Sequence, residues 1–384
     1  MIILDCSRAF KKGGPVPKEE FRQIAHSGGQ IVITLTALPD GRRLFQLTFR
    51  HSRPVECGFF AVHVLPPGLP IGTATLGGLG SPVDRGPQPG KNLMVYIVTD
   101  SQGMFGAQCP VCATYWRSQS PSLFCVSCGF RGQPHMFLTK AHYAFMEEYC
   151  EFFAQALEQG DGEQVIDLDV VADAVMSVEK PPFYYAEESQ QNTFACKACK
   201  CTVDILGTFG YCSRCGTRND LQELDKTLES IRRRINTGDA KEASVRDAVS
   251  AFDSFVGQYV RELLRRVPMT RGRINRLQNM RFHNVNLVRD EFKNTFDIDI
   301  FNGVDDKDQR FAALMFWRRH VYEHNGGEVD EDYLLQSGDT SVRLKQALRE
   351  DQESAHKTVG MVMRMANNLH DAFHELFPIQ IIPK

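Results

Sequence analysis

The sequence predicts a multidomain α+β protein with a β-rich N-terminal domain, two small four-cysteine segments and a C-terminal antiparallel α-helical bundle. Three patterns indicate this fold class. Apolar and polar residues alternate in the strand period over residues 1–105, two cysteine quartets with the same spacing follow, and apolar residues then recur at helical intervals. A chain of 384 residues has room for two or three domains with cores of their own.

The β-rich domain is predicted over residues 1–105. Its clearest strands are expected at Gln30–Thr36, Leu44–Phe49 and Asn92–Val98, and clusters of Gly and Pro separate them. These segments predict a sheet but indicate no reaction and no ligand.

Eight of the twelve cysteines form two quartets. Each has the spacing Cys-x2-Cys, twelve residues, Cys-x2-Cys, and the positions are Cys109, Cys112, Cys125 and Cys128 in the first and Cys196, Cys199, Cys212 and Cys215 in the second. A gap of two residues turns both sulfurs of a pair toward one ion, and two pairs complete a tetrahedral site. Gly129 and Gly216 follow the second pair of each quartet, where a tight turn favours a residue without Cβ.

These segments, at 106–133 and 191–219, resemble zinc ribbons. We expect two structural Zn²⁺ ions per chain. No catalytic metal is expected, because a site closed by four thiolates has no open coordination position. Cys201 lies near the second quartet, but Cys199 preserves the spacing of the first quartet and is the predicted ligand.

A small α/β segment is predicted between the ribbons, at 134–190. Residues Tyr143–Leu157 carry an apolar stripe typical of a helix that faces a core. The following Val165–Val171 indicates a short strand that runs into the start of a helix.

Residues 220–384 are predicted to form the helical bundle. Leu221, Leu224, Leu228, Ile231 and Ile235 recur at intervals of three and four, which is the seam of a packed helix. Four further helices are predicted at Glu242–Val267, Val285–Thr295, Asp308–His324 and Asp351–Leu376.

The end of the fourth predicted helix groups residues suited to phosphate chemistry. The Asn-Gly-Gly run at 325–327 is a strong stop signal and places His324 in the last turn, where unpaired carbonyls favour a cation. His320 lies one turn earlier on the same face. Arg319 is farther around the helix, but its long guanidinium can swing toward a phosphate near His324.

An arginine, a polar residue and a histidine after a short spacer resemble the motif of the HEPN superfamily, small helical bundles many of which are ribonucleases. Arg319, His320 and His324 match that motif residue by residue. The resemblance implies metal-independent cleavage of RNA, in which the ribose 2′-hydroxyl attacks the adjacent phosphate and leaves a 2′,3′-cyclic phosphate. It also implies a homodimer or higher homo-oligomer formed through the bundle, and a role as a toxin or antiviral-defence effector.

The residue types agree with such a reaction, and other interpretations of the same residues stay open. His324 suits proton transfer, Arg319 suits a phosphate contact, and His320 would orient its neighbour or the substrate. Alternatively, the two histidines are ordinary polar residues near a helix end. The letters of His320–His324 also fit the His-x-x-Glu-His pattern of zinc peptidases, with Glu323 as base, but only 60 residues follow and they predict no third ligand.

A basic stretch favours nucleic acid as a partner. Residues 261–289 contain eight arginines and one acid, Glu262, in a chain of net charge −3. The predicted RNA contacts are Arg271, Arg273, Arg276 and Arg281. A solvated face whose arginines pair with acids elsewhere, or a non-catalytic adaptor that binds RNA or protein, would show the same composition.

We expect the protein in the cytoplasm and without a membrane partner. No run approaches the about 18 apolar residues that span a bilayer, and the N-terminus lacks the pattern of a signal peptide.

Overall fold

A computed structural model describes residues 3–5, 29–51, 58–63, 69–75, 92–97, 103–174, 190–238 and 240–379. They form two compact units, one that ends at Thr217 and one over Arg218–Ile379. The chain is a mixed α+β protein, as predicted. Among the described residues, the strands lie in the first unit and the long helices of the second unit form its core.

Eleven strands and two α-helices make up the described part of the first unit. The strands are β1 (Ile3–Asp5), β2 (Gly29–Ala37), β3 (Arg43–His51), β4 (Gly58–His63), β5 (Leu69–Thr75), β6 (Asn92–Ile97), β7 (Phe105–Gln108), β8 (Tyr115–Ser118), β9 (Gly162–Asp167), β10 (Asn192–Ala195) and β11 (Thr202–Ile205). The helices are α1 (Lys140–Glu158) and α2 (Leu168–Ala174), and a 3₁₀ turn covers Pro134–Phe137.

The strands pair into three sheets, with the orders β1-β3-β2-β9, β5-β4-β6 and β10-β11-β8-β7. In the first sheet β2 is an inner strand between β3 and β9, and Ile31, Val32 and Ile33 are buried on it. The strand predicted from Val165 is β9, and its Ile166 lies opposite Ile31. A strand from the segment between the ribbons therefore belongs to a sheet of N-terminal strands.

The sequence missed three N-terminal strands. The predicted strands are present as β2, β3 and β6, whereas β1, β4 and β5 were not predicted. β1 has only three residues, β5 contains Pro70 and Gly72, and the β4–β5 pairing shifts register at Ala61/Val62. Short or interrupted strands give little alternation, so pairing with neighbours, rather than local pattern, defines them.

The helix predicted over Tyr143–Leu157 is α1, and it begins three residues earlier. Its N-cap Thr139 accepts a hydrogen bond from the backbone N–H of His142 at 3.3 Å. Phe145, Tyr149 and Phe153 share its buried face, which accounts for the apolar stripe in the sequence.

The second unit contains seven described helices. They are α3 (Asp220–Asn236), α4 (Lys241–Arg266), α5 (Arg271–Gln278), α6 (Val285–Phe296), α7 (Asp306–His324), α8 (Glu331–Ser337) and α9 (Gln352–Leu376). All five predicted helices are present, with ends within two residues of the prediction at α4, α6, α7 and α9. The sequence missed α5 and α8 because they span only eight and seven residues, too short for an apolar period to show.

The long helices α3, α4 and α9 pack against one another and form the core of this unit. α3 presents its predicted stripe, with Leu224, Leu228 and Ile235 buried. α7 packs on α4, where the rings of Phe252 and Phe316 meet edge to face with centroids 5.7 Å apart. None of the described helices has both the length and the apolar character that a bilayer crossing requires.

Candidate functional site

Each cysteine quartet gathers its four sulfurs within 4.8 Å of one another. The Sγ–Sγ distances are 3.7 Å for Cys109–Cys128, 3.6 Å for Cys112–Cys125, 3.7 Å for Cys196–Cys215 and 3.5 Å for Cys199–Cys212. Sulfurs around a tetrahedral zinc, with bonds of about 2.3 Å, lie about 3.8 Å apart, whereas a disulfide needs about 2 Å. The described cysteines form no disulfide, and each quartet could hold a metal ion. The second set uses Cys199, as predicted, and not Cys201.

Four equivalent turns hold these cysteines. In each turn the residue after the second cysteine of a pair is left-handed and donates its backbone N–H to the carbonyl of the first cysteine. These residues are Ala113 (φ 57°), Gly129 (φ 67°), Lys200 (φ 64°) and Gly216 (φ 79°). The glycine prediction is confirmed, although two turns form without glycine. Backbone N–H groups of Val111 and Ser127 also donate to Cys109 Sγ and Cys125 Sγ at 3.4 Å, so hydrogen bonds hold these two sulfurs in place.

The two quartets share one hydrophobic core and one sheet. Strand β8 of the first pairs with β11 of the second, and Trp116 and Val203 are fully buried between them. Arg117 and Asp204 form an ion pair at 2.6 Å, and both side chains are almost fully buried. The shared core and the buried ion pair therefore stabilise both cysteine sites, as expected of sites with a structural role.

The second cluster lies at the C-terminal end of α7. The helix ends at His324, and Gly326 and Gly327 follow with φ of 61° and 89°, so the stop is confirmed. The imidazole rings of His320 and His324 pack against each other with centroids 4.6 Å apart, and both residues are exposed. The structure thus brings together the two histidines that the sequence singled out.

Arg318 and Arg319 have different environments. Arg318 forms ion pairs with Asp339 at 3.0 Å and Glu350 at 3.1 Å, and burial of these partners makes the network structural. Arg319 is half-buried, and its Nε is a buried donor with no hydrogen-bond partner among the described residues. A buried donor of this kind is rare in folded proteins and is suited to an anionic ligand. Arg319, the arginine that the sequence singled out, is therefore the one whose Nε has no acceptor among the described residues.

Two residues that the sequence analysis missed lie in the same electrostatic environment. Asp253 on α4 and His283, in the segment before α6, are both influenced by the charge of Arg319. Asp253 Oδ1 is buried and, in the described part of the chain, has no hydrogen-bond partner. The sequence could have indicated Asp253, because it falls between Val249 and Val256 at helical spacing on a buried stripe. An acid at such a position needs an explanation.

Burial sets the protonation behaviour of this cluster. It raises the pKa of Asp253, while His283 in its protonated form and Arg319 oppose that rise. It lowers the pKa of His283, and the charge of Arg319 lowers it further. The pKa of His320, although its side chain is exposed, is also lowered by partial desolvation and then by the charges of His324 and Arg319. Neutral imidazoles are therefore favoured at neutral pH for His283 and His320.

The predicted RNA-contacting arginines divide into two groups. Arg276 pairs with Glu291 at 2.9 Å, whereas Arg271, Arg273 and Arg281 are exposed and make no ion pair within the described residues. Arg281 also contributes to the positive potential at His283 and His320. Elsewhere in the basic stretch, Arg265 forms an ion pair with Glu262, and Arg289 forms one with Asp290. Arg266 lies over the ring of Phe377 instead.

A His-x-x-Glu-His peptidase site lacks support in this geometry. Glu323 Oε2 lies 3.7 Å from Arg246 Nε and forms an ion pair with it. Within the described residues, only the two cysteine quartets bring three or more metal-ligating groups together, so His320 and His324 have no third ligand.

Comparisons with protein-family models, with curated proteins and with solved structures find no match to this chain. The chemistry of the site therefore rests on its own residues.

Proposed function

We propose that the cluster at the end of α7 cleaves RNA without a metal ion. Two observations carry the proposal. Arg319 Nε is buried and has no hydrogen-bond partner among the described residues, and the next residue, His320, packs its ring on that of His324. A guanidinium that lacks a protein acceptor at this atom suits a phosphate, and imidazoles near neutral pH suit proton transfer. RNA provides both the phosphate and a neighbouring 2′-hydroxyl nucleophile.

In the proposed reaction the ribose 2′-hydroxyl attacks the adjacent phosphorus and the 5′-oxygen leaves. Arg319 holds the phosphate and stabilises the negative charge that develops on its oxygens. His324 transfers a proton, and His320, packed on it, orients the ring or the substrate. The products carry a 2′,3′-cyclic phosphate and a 5′-hydroxyl. A HEPN-like bundle and its pairing into a dimer stay part of this proposal.

RNA approaches along the exposed arginines in this proposal. Arg271 and Arg273 are exposed on α5, and Arg281 links that helix to the positive potential at His320. Contacts of this kind bind the phosphate backbone and carry little sequence information. A non-catalytic RNA-binding adaptor would use the same arginines, and only the reaction itself separates the two functions.

The two cysteine quartets are proposed to hold structural zinc, as zinc ribbons do. Four thiolates close the coordination sphere, so the ions stabilise the fold and take no part in cleavage. The sulfur spacings near 3.6 Å fit zinc coordination by this residue set. The proposed nuclease and the zinc sites therefore respond differently to a chelator.

The test is cleavage of end-labelled RNA by wild type, His324→Ala and Arg319→Ala after brief treatment with EDTA. We expect His324→Ala to lose about 10²- to 10⁴-fold in rate, because a positioned acid or base contributes that much. The circular dichroism spectrum and the RNA affinity of His324→Ala should match those of wild type. His356→Ala is the matched control, since His356 lies on α9 and hydrogen-bonds Asn236 at 2.9 Å.

Product ends distinguish the outcomes. Fragments with 2′,3′-cyclic phosphate that disappear in His324→Ala but not in His356→Ala support the nuclease. Intact RNA with wild type and bound RNA in the same samples would instead establish the adaptor. Activity lost within seconds of chelation, while the circular dichroism spectrum persists, would contradict a metal-independent reaction.

A further inference from the structure

The proposed cleavage needs proton transfer on two sides of the phosphorus. In an in-line displacement the attacking oxygen enters opposite the leaving oxygen, so the proton acceptor and the proton donor approach from different directions. His320 and His324 lie one turn apart on one helix, with ring centroids 4.6 Å apart. They approach a bound phosphate from the same direction, so a partner on another element is required.

Asp253 places one part of that partner. Helix α4 meets α7 where Phe252 and Phe316 pack edge to face at 5.7 Å. Asp253 is the next residue on α4, and Arg319 lies about one turn beyond Phe316 on α7. Although Asp253 and Arg319 influence each other electrostatically, no ion pair joins them in the part of the chain that the structure describes. Asp253 Oδ1 and Arg319 Nε are both buried and have no hydrogen-bond partner among the described residues.

His283 is held close to Asp253 by its neighbour in the chain. The ring of Phe282 packs on Gly257 of α4, where a Cβ would meet Phe282 Cε2 at 3.4 Å. Gly257 is one helical turn after Asp253, so the contact places the segment that contains His283 against this part of α4. His283 is influenced by Arg319, Asp253 and His320, so α4, α7 and the segment before α6 converge on one site.

We propose that His283, whose protonated form Asp253 stabilises, is a second proton-transfer residue of this site and that one chain supplies both the base and the acid. His283 takes the proton from the 2′-hydroxyl as the new O2′–P bond forms. His324 gives a proton to the 5′-oxygen as the P–O5′ bond breaks, and Arg319 stabilises the phosphate between them. Exchange with water then returns the proton of His283 to solvent and restores the proton of His324.

The environment of His283 supports its role as base. Burial and the nearby charge of Arg319 lower the pKa of His283, so the neutral, proton-accepting form is populated at neutral pH. Asp253 acts in the opposite sense and favours the imidazolium that forms after proton uptake. Asp253 is therefore a positioning residue that acts through His283. This inference rests on the proposed RNA cleavage.

The first test compares kcat/KM for RNA over pH in wild type, His283→Ala, Asp253→Asn and the control His356→Ala. We expect His283→Ala to lose about 10²- to 10⁴-fold and the acid limb of its pH profile. Asp253→Asn should retain the acid limb but displace it to lower pH, a change that loss of packing alone would not cause. RNA affinity and circular dichroism should match wild type. Equal kcat/KM values for His283→Ala and wild type would overturn the inference about His283. Because wild type still cleaves RNA in that case, the proposed function would not be contradicted.

The second test asks whether one chain holds the whole site. His283→Ala and His324→Ala chains with different tags are co-expressed, and complexes that carry both tags are isolated. A site built within one chain has lost one residue in either chain, so the mixed complex should be as inactive as each variant alone. Recovery of a substantial fraction of wild-type cleavage would show that His283 and His324 act across two chains, and would overturn the one-chain site. Wild type that leaves RNA intact contradicts the proposed function itself.

Discussion

Two consecutive arginines of α7 illustrate how one position along a helix separates structure from chemistry. Arg318 donates to the carboxylates of Asp339 and Glu350, and Tyr333 and Tyr322 complete the network with hydrogen bonds of 2.6 Å to the same acids. A change of about 100° around the helix moves Arg319 away from these acids. The network holds the segment after α8 against α7. Because Asp339 and Glu350 pair with Arg318, they do not neutralise Arg319, which suits contact with an anionic ligand.

His370 is a buried histidine with a structural role. Its Nδ1 shares a hydrogen bond of 2.6 Å with Tyr259 Oη, and its ring packs against His374 with centroids 4.6 Å apart. Burial, followed by the charges of His374 and Arg218, lowers the pKa of His370 to about 3. The folded protein therefore keeps this ring neutral.

We predict that His370 makes the protein less stable as pH falls from about 6.5 toward 3. In that window His370 binds a proton in the unfolded chain but not in the folded protein. The free energy of unfolding therefore falls by up to ~1.4 kcal/mol per pH unit. Above pH 6.5 the two states are equally deprotonated and the effect vanishes. His370→Gln keeps an acceptor for Tyr259 without titrating, so urea unfolding followed by circular dichroism should show a shallower pH slope. Equal slopes for the variant and wild type would contradict the prediction.

At the scale of elements, the two cysteine segments form an internal repeat. A shift of 87 positions carries all four cysteines, β7 and β8 onto their counterparts, and the central strands β8 and β11 are antiparallel. Arg117 lies opposite Asp204, its own counterpart under the shift. Phe124 N donates to Ser213 O at 2.9 Å and its counterpart Tyr211 N donates to Val126 O at 2.8 Å. The segments are thus related by an approximate two-fold axis through the Arg117–Asp204 pair.

We predict that Gly216→Ala damages the contact between the two halves of this repeat. Gly216 is left-handed, and an added Cβ would lie 2.9 Å from the Phe124 ring of the other half. Gly207 has the same backbone conformation with φ of 85° and nothing within 4 Å, so Gly207→Ala is the matched control. Backbone strain should cost about 1 kcal/mol in both variants, and overpacking about 1–3 kcal/mol more in Gly216→Ala. Urea unfolding of zinc-loaded protein measures the difference, and equal losses would show that the ring moves aside freely.

At the scale of the whole molecule, we expect the two cysteine quartets to lose metal together. They share one hydrophobic core, so a broken site exposes apolar surface that supports the other. Elemental analysis should find about two zinc ions in wild type and fewer than one in Cys212→Ser. Cys201→Ser, which changes a buried non-ligand in the same core, should retain both ions. One full zinc retained by Cys212→Ser would show that the sites are independent.

Several features of this protein could be predicted from sequence because they depend on neighbours along the chain. The two cysteines of each pair already share a turn, and the repeated spacing indicated both candidate metal sites before any fold was known. The end of α7 was predictable for the same reason, since Gly326 and Gly327 terminate a helix by local conformational preference. The predicted HEPN resemblance, RNA cleavage and dimer stay predictions.

The tertiary structure decided which distant residues meet. No local pattern could show that β9 pairs with β2, that Arg117 is neutralised by Asp204, or that the charge of Arg319 acts on Asp253 and His283. Each pairing depends on where a strand or helix packs, and packing reflects the burial of apolar surface across the whole fold rather than the order of residues. The sequence by itself determined which cysteines come together in each quartet and where the helix that carries His324 ends. Only the tertiary structure brought Asp253 of α4 and His283 under the influence of Arg319 on α7, because that proximity depends on how distant helices pack.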